Sequence, residues 1–245
     1  MTDFNIYYRT SSLGSPMGRT SLIGTPMEGI TKQNCFNNFI DVYGIETLNV
    51  IADNCNPYAI EYIKSKGINP VITNLGNNRS FIYALDLAIN NAENDDDIIM
   101  MQEDDYLHLP EGKKYIREGL DIADYLSLYD NPDKFLSYDK GGDNILITDN
   151  SEETRVYLTK SSHWKLTNST CMSFSARVKT LKEDYNELNY FCQSHFPHPM
   201  DFALWCFLKD NKKRKLITPL PGRSAHVGLQ MSPLINWKEV LEKSK

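Results

Sequence analysis

Three consecutive carboxylates, Glu103, Asp104 and Asp105, follow directly on the apolar run from Ile98 to Met101. Three negative charges at the end of a buried strand cost free energy through repulsion and desolvation unless a cation offsets them. Mn²⁺ or Mg²⁺ would do so, because these ions prefer oxygen ligands from one or two carboxylates together with substrate phosphates. The triplet therefore predicts a divalent cation with a phosphorylated substrate. The alternative, that Asp105 only caps a following helix, stays open.

Short apolar runs alternate with helical patterns in the first half of the chain. The runs predicted to be strands are Phe4 to Tyr8, Leu48 to Ala52, Pro70 to Thr73 and Ile98 to Met101. Apolar residues three and four apart predict helices after caps at Thr31 and Ser80. Strand and helix in alternation indicate an α/β fold with a mostly parallel sheet and helices on both faces. Ligands of such sheets bind at the carboxyl ends of the strands.

The second half of the chain reads as mixed α/β structure. Strand-like patterns at Val156 to Leu158 and Thr170 to Phe174 stand among helical patterns at 177–191 and 200–208. The whole chain, 1–245, is predicted to be one domain. Residues 1–106 would form a nucleotide-sugar-binding half and 107–245 an acceptor-binding half.

Two further motifs accompany the acid triplet. Val50 to Asn54 ends the second strand, and Asn77-Asn78-Arg79-Ser80 opens a helix. With these motifs the chain resembles glycosyltransferases of the GT-A type and is similar to family 2 enzymes and their viral and bacterial relatives. The resemblance implies a GT-A-like, Rossmann-type nucleotide-binding half. It also implies a metal-dependent, inverting transfer of a sugar from a nucleotide-sugar donor to a hydroxyl of a glycan or lipid-linked saccharide.

The resemblance and the strand-end positions together assign residues to the donor and its metal. The metal is assigned to Asp105 and His226, because some GT-A enzymes add a C-terminal His to the acid of the triplet. Arg223 beside His226 is assigned to the diphosphate, since a guanidinium matches phosphate oxygens. The donor-binding residues are predicted to be Arg9, Ser11, Asp53, Asn77, Arg79, Glu103, Asp104 and Arg223.

Asp201 begins a predicted helix in the second half. An inverting transfer needs a carboxylate that takes the proton from the attacking hydroxyl, and the resemblance places that base here. The alternative is a negative charge favoured by the dipole at a helix start. Both interpretations stay open.

Ser161 to Lys165 is predicted to be a loop between strands that carries His163 and Trp164. An exposed Trp and His suit stacking on a sugar and hydrogen bonding to its hydroxyls, which predicts contact with the acceptor. The alternative is that Trp164 packs in the core.

Two other functions stay open. Gly14, Gly18 and Arg19 resemble, in part, the glycine-rich loop of sugar nucleotidylyltransferases, although Pro16 stands within the segment. A nucleotide-sugar- or glycan-binding module without catalysis is the other alternative. Retention of both Asp105 and Asp201 disfavours it.

Composition limits the partners. The chain has 26 Lys and Arg against 32 Asp and Glu, a formal charge of −6, which disfavours a nucleic-acid partner. The longest apolar run, Phe202 to Leu208, is too short to cross a bilayer. The sequence start lacks a secretory pattern, so a cytoplasmic location is expected, with peripheral membrane contact left open. The five cysteines, an odd number without a CxxC motif, are expected to be reduced thiols.

Overall fold

The computed structural model of the chain describes residues 3–12, 30–140, 144–227 and 234–243. The strands in chain order are β1 (Phe4–Thr10), β2 (Leu48–Asp53), β3 (Val71–Thr73), β4 (Ile98–Glu103), β5 (Tyr106–His108), β6 (Tyr125–Leu126), β7 (Val156–Leu158), β8 (His163–Leu166), β9 (Phe174–Arg177), β10 (Leu216–Leu220) and β11 (Ser224–His226). The helices are α1 (Lys32–Tyr43), α2 (Pro57–Ser65), α3 (Asn77–Asn91), α4 (Gly112–Leu120), α5 (Val178–Glu183), α6 (Tyr185–Tyr190), α7 (Asp201–Lys212) and α8 (Trp237–Lys243). The four strands predicted in the first half are all present.

Local sequence explains where the first helices begin. Thr31 caps α1 in a capping box, in which its side chain accepts from the backbone N–H of Asn34 and the Asn34 side chain accepts in return. Asn56 caps α2 in a similar way. At α3 the cap position is taken by Gly76 at φ +81°, which corrects the predicted cap at Ser80. A residue with a side chain would be strained in that conformation.

One sheet runs through the molecule in the order β3-β2-β1-β4-β9-β6-β10-β8-β7. β3, β2, β1 and β4 are parallel, whereas β9 is antiparallel to β4 and to β6. The predicted α/β class is confirmed, with the parallel part in the first half and a mixed arrangement in the second. A separate two-stranded sheet pairs β5 with β11.

Helices cover both faces of the parallel part. Successive side chains of a strand point to opposite faces, so Ile6 and Tyr8 of β1 pack with α1, α2 and α4, whereas Tyr7 packs with α3 and the helices of the second half. Met100 and Met101 of β4 divide in the same way. Both faces are thus buried, which fixes the direction of the polar residues that follow each strand.

The second half departs from the predictions at three places. Of the predicted strand at Thr170 to Phe174, only Phe174 lies in a strand, where it begins β9, and 171–172 form a turn. The helical pattern at 177–191 forms two short helices separated at Asp184, a buried acid that binds Tyr125, Lys212 and Arg214. The predicted loop around Trp164 is strand β8. Lys212 and Arg214 form ion pairs with Asp184, so these two basic side chains belong to an internal network. Among the described residues, no helix combines the length and apolar character needed to cross a membrane.

Candidate functional site

A cavity of about 390 Å³ lies at the carboxyl ends of β1, β2 and β4, where the fold class predicts a ligand. We call it the strand-end cavity. Its volume falls in the range of ordinary small-molecule sites, about 300 to 1,000 Å³. It is lined by Arg9, Thr10, Ser11, Lys32, Asp53, Asn54, Gly76, Asn77, Ser80, Glu103, Asp104 and Asp105.

Two carboxylates of the acid triplet, Glu103 and Asp104, each pair with a cation from another element. Glu103 forms an ion pair with Arg9, its neighbour on the adjacent parallel strand. Asp104 lies 3.0 Å from Nζ of Lys32 and accepts from the backbone N–H of Ser11 at 2.9 Å. These protein cations offset part of the negative charge that the sequence alone assigned to a metal.

Arg9 is held in place by the start of α3 as well as by Glu103. Its guanidinium donates to the backbone oxygen of Asn77 at 2.8 Å and to Oγ of Ser80 at 2.9 Å. Arg9 is 7% exposed. The Asn-Arg-Ser motif therefore contributes Asn77 and Ser80 to the cavity, and through Arg9 it ties α3 to the acid triplet.

His226 reaches Asp105 because two segments distant in the chain pair as strands. In the β5–β11 pairing, His226 lies opposite Tyr106, and the backbone N–H of Val227 donates to the backbone oxygen of Asp105 at 2.7 Å. The His226 ring packs edge-on against Tyr106 at 4.8 Å between ring centroids. Nε2 of His226 consequently lies 3.3 Å from Oδ2 of Asp105.

The pKa values of the triplet reflect this environment. Burial raises the pKa of Glu103 to about 7, although the Arg9 guanidinium acts in the opposite direction. Burial, together with the neighbouring charge of Asp104, also raises the pKa of Asp105. Since desolvation disfavours a charged carboxylate, a bound cation would stabilise the ionised forms.

The assignment of a divalent cation to Asp105 and His226 depends on which of their atoms could bind it. Oδ1 of Asp105 is buried and accepts no hydrogen bond within the described residues. Over residues 3–12, 30–140, 144–227 and 234–243, no group of three or more His, Cys, Asp and Glu side chains is arranged to hold a metal. Mg²⁺ and Mn²⁺ often take only one or two protein ligands and complete their shell with phosphates and water. The carboxylate of Asp105 beside the imidazole of His226 is compatible with such an ion, and the metal assignment stays a prediction.

Asp53 lines the strand-end cavity with a carboxylate that is already bonded to the chain. It accepts four hydrogen bonds, from the side chains of Asn54 and Thr73 and from the backbone N–H groups of Leu75 and Gly76. The carboxylate therefore stabilises the turn that leads from β3 into α3, and we call an acid with this structural role a brace. Its predicted contact with a nucleotide stays a prediction.

Asp201 has the same character at the start of α7. Its carboxylate accepts five hydrogen bonds, which come from the hydroxyls of Ser169 and Thr170, the backbone N–H groups of Thr170 and Met172, and the indole of Trp205. The loop that it binds includes Cys171 at φ 45° and Met172 at φ 58°. A carboxylate has about four lone-pair positions, so Asp201 has none left for an acceptor proton in this arrangement.

Six predicted site residues do not line the strand-end cavity: Asp201 and His226, described above, and Arg79, His163, Trp164 and Arg223. Trp164 is fully buried and donates from its indole to Thr159, which corrects the expectation of an exposed ring that stacks on a sugar. His163 and Arg79 are exposed outside the cavity lining. The guanidinium of Arg223 lies over the ring of Tyr115 at 4.3 Å and donates to the oxygen of Pro110.

Lys32 is the residue of the cavity that sequence reasoning missed. It stands at the first position of α1, where a helix dipole favours acids over cations. A lysine at that position, directly after a capping Thr, is the signal that could have drawn attention to it.

Gly14, Gly18 and Arg19, which carry the partial resemblance to nucleotidylyltransferases, lie outside the described residues.

Comparisons with known proteins identify solved structures of similar fold. No family model and no curated protein sequence matches the chain. Among solved structures, it is similar to 4-diphosphocytidyl-2C-methyl-D-erythritolsynthase from Anaerococcus prevotii, with a TM-score of 0.50 and 12% identity over 99% of this chain and 95% of that one. It is also similar to mannose-1-phosphate geranyltransferase from Thermus thermophilus, with a TM-score of 0.50 and 10% identity over 93% of this chain and 77% of that one. These likenesses establish a shared α/β fold. The finer resemblance to family 2 glycosyltransferases stays a prediction.

Proposed function

We propose that this chain transfers a sugar from a nucleotide-sugar donor to an acceptor hydroxyl, with Mn²⁺ or Mg²⁺ held by Asp105 and His226. The observation that carries the proposal is the buried Oδ1 of Asp105 at the strand-end cavity, which accepts no hydrogen bond from the residues that the structure describes, with the imidazole of His226 3.3 Å from the other carboxylate oxygen. A bound cation would neutralise negative charge on the leaving diphosphate.

The charges of the cavity support a ligand that contains both a cation and an anion. The lining contributes four carboxylates, from Asp53 and the triplet, against the two basic side chains of Arg9 and Lys32. This excess of negative charge disfavours a nucleoside diphosphate on its own, and it favours one that arrives with a divalent cation. Lys32 is 19% exposed, so its ammonium group can donate to a phosphate oxygen while it remains near Asp104.

The second candidate is nucleotidylyl transfer, in which a sugar phosphate attacks a nucleoside triphosphate and releases pyrophosphate. The names of the two solved structures of the same fold favour it, because one contains a diphosphocytidyl compound and the other, mannose-1-phosphate geranyltransferase, contains a sugar phosphate. Both candidates use a nucleotide and a divalent cation at the ends of the parallel strands. They differ in the phosphorus-containing product.

Product analysis separates the candidates. The purified chain is incubated with Mn²⁺ and either UDP-glucose, UDP-galactose, GDP-mannose or dTDP-glucose, or with a nucleoside triphosphate and glucose or mannose 1-phosphate. The nucleoside diphosphate and pyrophosphate are then quantified. We expect the diphosphate from one nucleotide sugar, by slow hydrolysis even without the acceptor, and no pyrophosphate. The same reaction by Asp139→Asn, a change at an exposed acid, serves as the matched control.

Each other outcome contradicts the proposal in a defined way. Pyrophosphate release would establish the second candidate instead. Nucleotide-sugar binding without either product, including after saccharide acceptors are added, would indicate a binding module without catalysis.

A further inference from the structure

A second and larger concavity lies in the second half of the chain. Its volume of about 920 Å³ falls in the upper part of the range of small-molecule sites, about 300 to 1,000 Å³. Its lining comes from the segment between 146 and 155, the end of β8, helix α7 and the turn that leads into β10. We call it the basic cleft, because basic side chains outnumber acids in its lining.

The basic cleft lies at the opposite edge of the sheet from the acid triplet. Strand β10 is parallel to β6, which is antiparallel to β9, and β9 is antiparallel to β4. β10 therefore runs in the same direction as β4. Lys215 and Leu216, at the amino end of β10, line the basic cleft, whereas Glu103, at the carboxyl end of β4, lines the strand-end cavity. The two linings share no residue, so a ligand of the basic cleft would be a second ligand.

The basic cleft and the strand-end cavity have opposite charge. The lining of the cleft includes five basic side chains and three acids, of which Arg214 pairs with Asp184 at 2.7 Å and Glu152 pairs with Lys165 at 3.0 Å. The charged side chains that remain are all exposed, and they are Arg155, Lys209, Lys213 and Lys215 against Glu153 and Asp210. In a chain of formal charge −6, this local excess of positive charge favours an anionic ligand.

The dipole of α7 explains only part of this cluster. Lys209 and Lys213 stand at the end of the helix, where the dipole favours cations. Arg155 precedes β7 and Lys215 precedes β10, so these two residues come from other elements. The guanidinium of Arg155 lies 5.5 Å from the ring of Tyr157, and Nζ of Lys215 lies 5.6 Å from the same ring. Three elements therefore bring like charges to one cleft, and an anion would offset their repulsion.

The shape and the neutral residues of the basic cleft indicate the class of anion. A single phosphate ion would leave most of the volume unfilled. Trp205 is the one aromatic side chain of the lining and is 2% exposed, so the cleft offers no aromatic face on which a nucleotide base could stack. Thr148, Ser151 and Thr167 add hydroxyl groups to the lining, and a hydroxyl both donates to and accepts from the hydroxyl groups of a sugar.

We propose that the basic cleft is a second binding site, whose ligand is an oligosaccharide that carries sulfate, phosphate or carboxylate groups. The cations beside Tyr157 bind one anionic group, and those at the end of α7 bind another. The hydroxyl side chains of the lining bind the sugar hydroxyls between them. The inference is independent of the reaction at the strand-end cavity, because the two sites share no residue.

The test is titration calorimetry of the full chain with a sulfated heparin tetrasaccharide as the probe, at low and at high salt. Maltotetraose, tetraglutamate and vesicles of phosphatidylcholine and phosphatidylglycerol in equal amounts are titrated in parallel. We expect the tetrasaccharide to bind, with an affinity that falls as salt screens the exposed cations. Maltotetraose, tetraglutamate and the vesicles should each bind at least about tenfold more weakly, since each lacks either the anionic groups or the sugar hydroxyls.

Four variants locate the bound tetrasaccharide. Arg155→Gln and Lys209→Gln remove cations of two different elements, and each should weaken binding at least about fivefold. Ser151→Trp keeps the charge of the cleft but fills part of its volume, and it should weaken binding at least about tenfold. Lys238→Gln, at an exposed lysine of α8 outside both linings, is the matched control and should bind within about twofold of wild type. Melting temperatures establish that each variant folds.

Several results would overturn the inference. These are no binding of the tetrasaccharide, equal weakening in Lys238→Gln and Lys209→Gln, or full affinity in folded Ser151→Trp, which would place the ligand outside the cleft. Equal binding of tetraglutamate would overturn the saccharide class, and binding of the vesicles alone would assign this surface to a membrane instead. UDP with Mn²⁺ should leave the affinity for the tetrasaccharide within about twofold, and full competition by UDP would contradict a second site.

Discussion

Two kinds of carboxylate occur at strand ends and helix starts of this molecule. The carboxylates of Asp53 and Asp201 accept hydrogen bonds at nearly all their lone pairs. The donors are mostly backbone N–H groups and hydroxyls of an adjacent loop. In the triplet, Glu103 and Asp104 instead face cations from other elements, and Asp105 faces the imidazole of His226. One oxygen of Asp105 accepts no hydrogen bond in the part of the chain that the structure describes.

This difference shows that the position of an acid in the fold does not by itself determine its role. Asp53 and the triplet stand where the fold class predicts a ligand, and Asp201 stands where the family resemblance predicts the catalytic base. A carboxylate that already accepts four or five hydrogen bonds stabilises the loop that donates them. Burying an oxygen without a hydrogen-bond donor costs free energy, and a ligand that binds the oxygen can remove that cost. The number of donors around an acid therefore distinguishes a brace from a binding group.

The largest expected effect is the loss of the brace at Asp201. In Asp201→Asn, the amide would present N–H groups to donors of the loop 169–172, so hydrogen bonds would be lost and repulsion gained. We expect the free energy of unfolding to fall by about 4 kcal/mol, measured by urea denaturation. Asp210→Asn, at an exposed acid on the same helix, should change it by less than about 0.5 kcal/mol. A stable Asp201→Asn that has lost only turnover would show that Asp201 is the base after all.

The second effect concerns Asp105 and should affect binding rather than stability. Asp105→Asn removes the ionised ligand, so Mn²⁺-dependent affinity for UDP or the preferred diphosphate should fall at least about 100-fold, which equals about 2.7 kcal/mol. Titration calorimetry with and without Mn²⁺ measures this change. Asp96→Asn, at an exposed acid just before β4, is the matched control and should bind as wild type does. Unchanged Mn²⁺ dependence in Asp105→Asn would contradict the assignment of the metal.

The smallest effect is expected at Asp53, which is a brace that also lines the cavity. Asp53→Asn should lower the free energy of unfolding by about 2 kcal/mol, because Leu75 and Gly76 lose part of their acceptor. Nucleotide affinity should fall by about tenfold as the turn before α3 loosens. Thermal denaturation and calorimetry, with Asp41→Asn at an exposed acid as the control, measure both. Loss of affinity at full stability would instead indicate direct contact with the nucleotide.

The sequence was sufficient to predict the parallel half of the fold and the position of the acid triplet. Apolar runs with period-matched helices between them specify β1, β2 and β4, and the polar residues that follow these runs meet at one edge of the sheet. Arg9, Ser11, Asp53, Asn77 and the triplet were all predicted in this way, and they line one cavity.

Local sequence patterns could not predict the contacts between segments that are distant in the chain. The meeting of His226 with Asp105 was expected only from a family resemblance, because it depends on the pairing of β5 with β11. The donors of Asp201 come from a loop in which Cys171 and Met172 adopt left-handed backbone conformations, which neither residue type signals. Trp164 is buried because β8 lies inside the sheet between β10 and β7, and its local sequence does not specify that neighbourhood.

The central claim is that a nucleotide and a divalent cation meet at the strand-end cavity, where Asp105 lines the cavity and His226 lies beside Asp105. Crystals grown with Mn²⁺ and UDP, or the diphosphate that binds best, test it directly through the anomalous scattering of manganese. The account predicts a peak at about 2.0 to 2.3 Å from an Asp105 oxygen and a His226 ring nitrogen, with the diphosphate against it. A nucleotide bound instead in the cleft of about 920 Å³ beside Arg155 and Lys213, with no manganese at Asp105, would contradict the account.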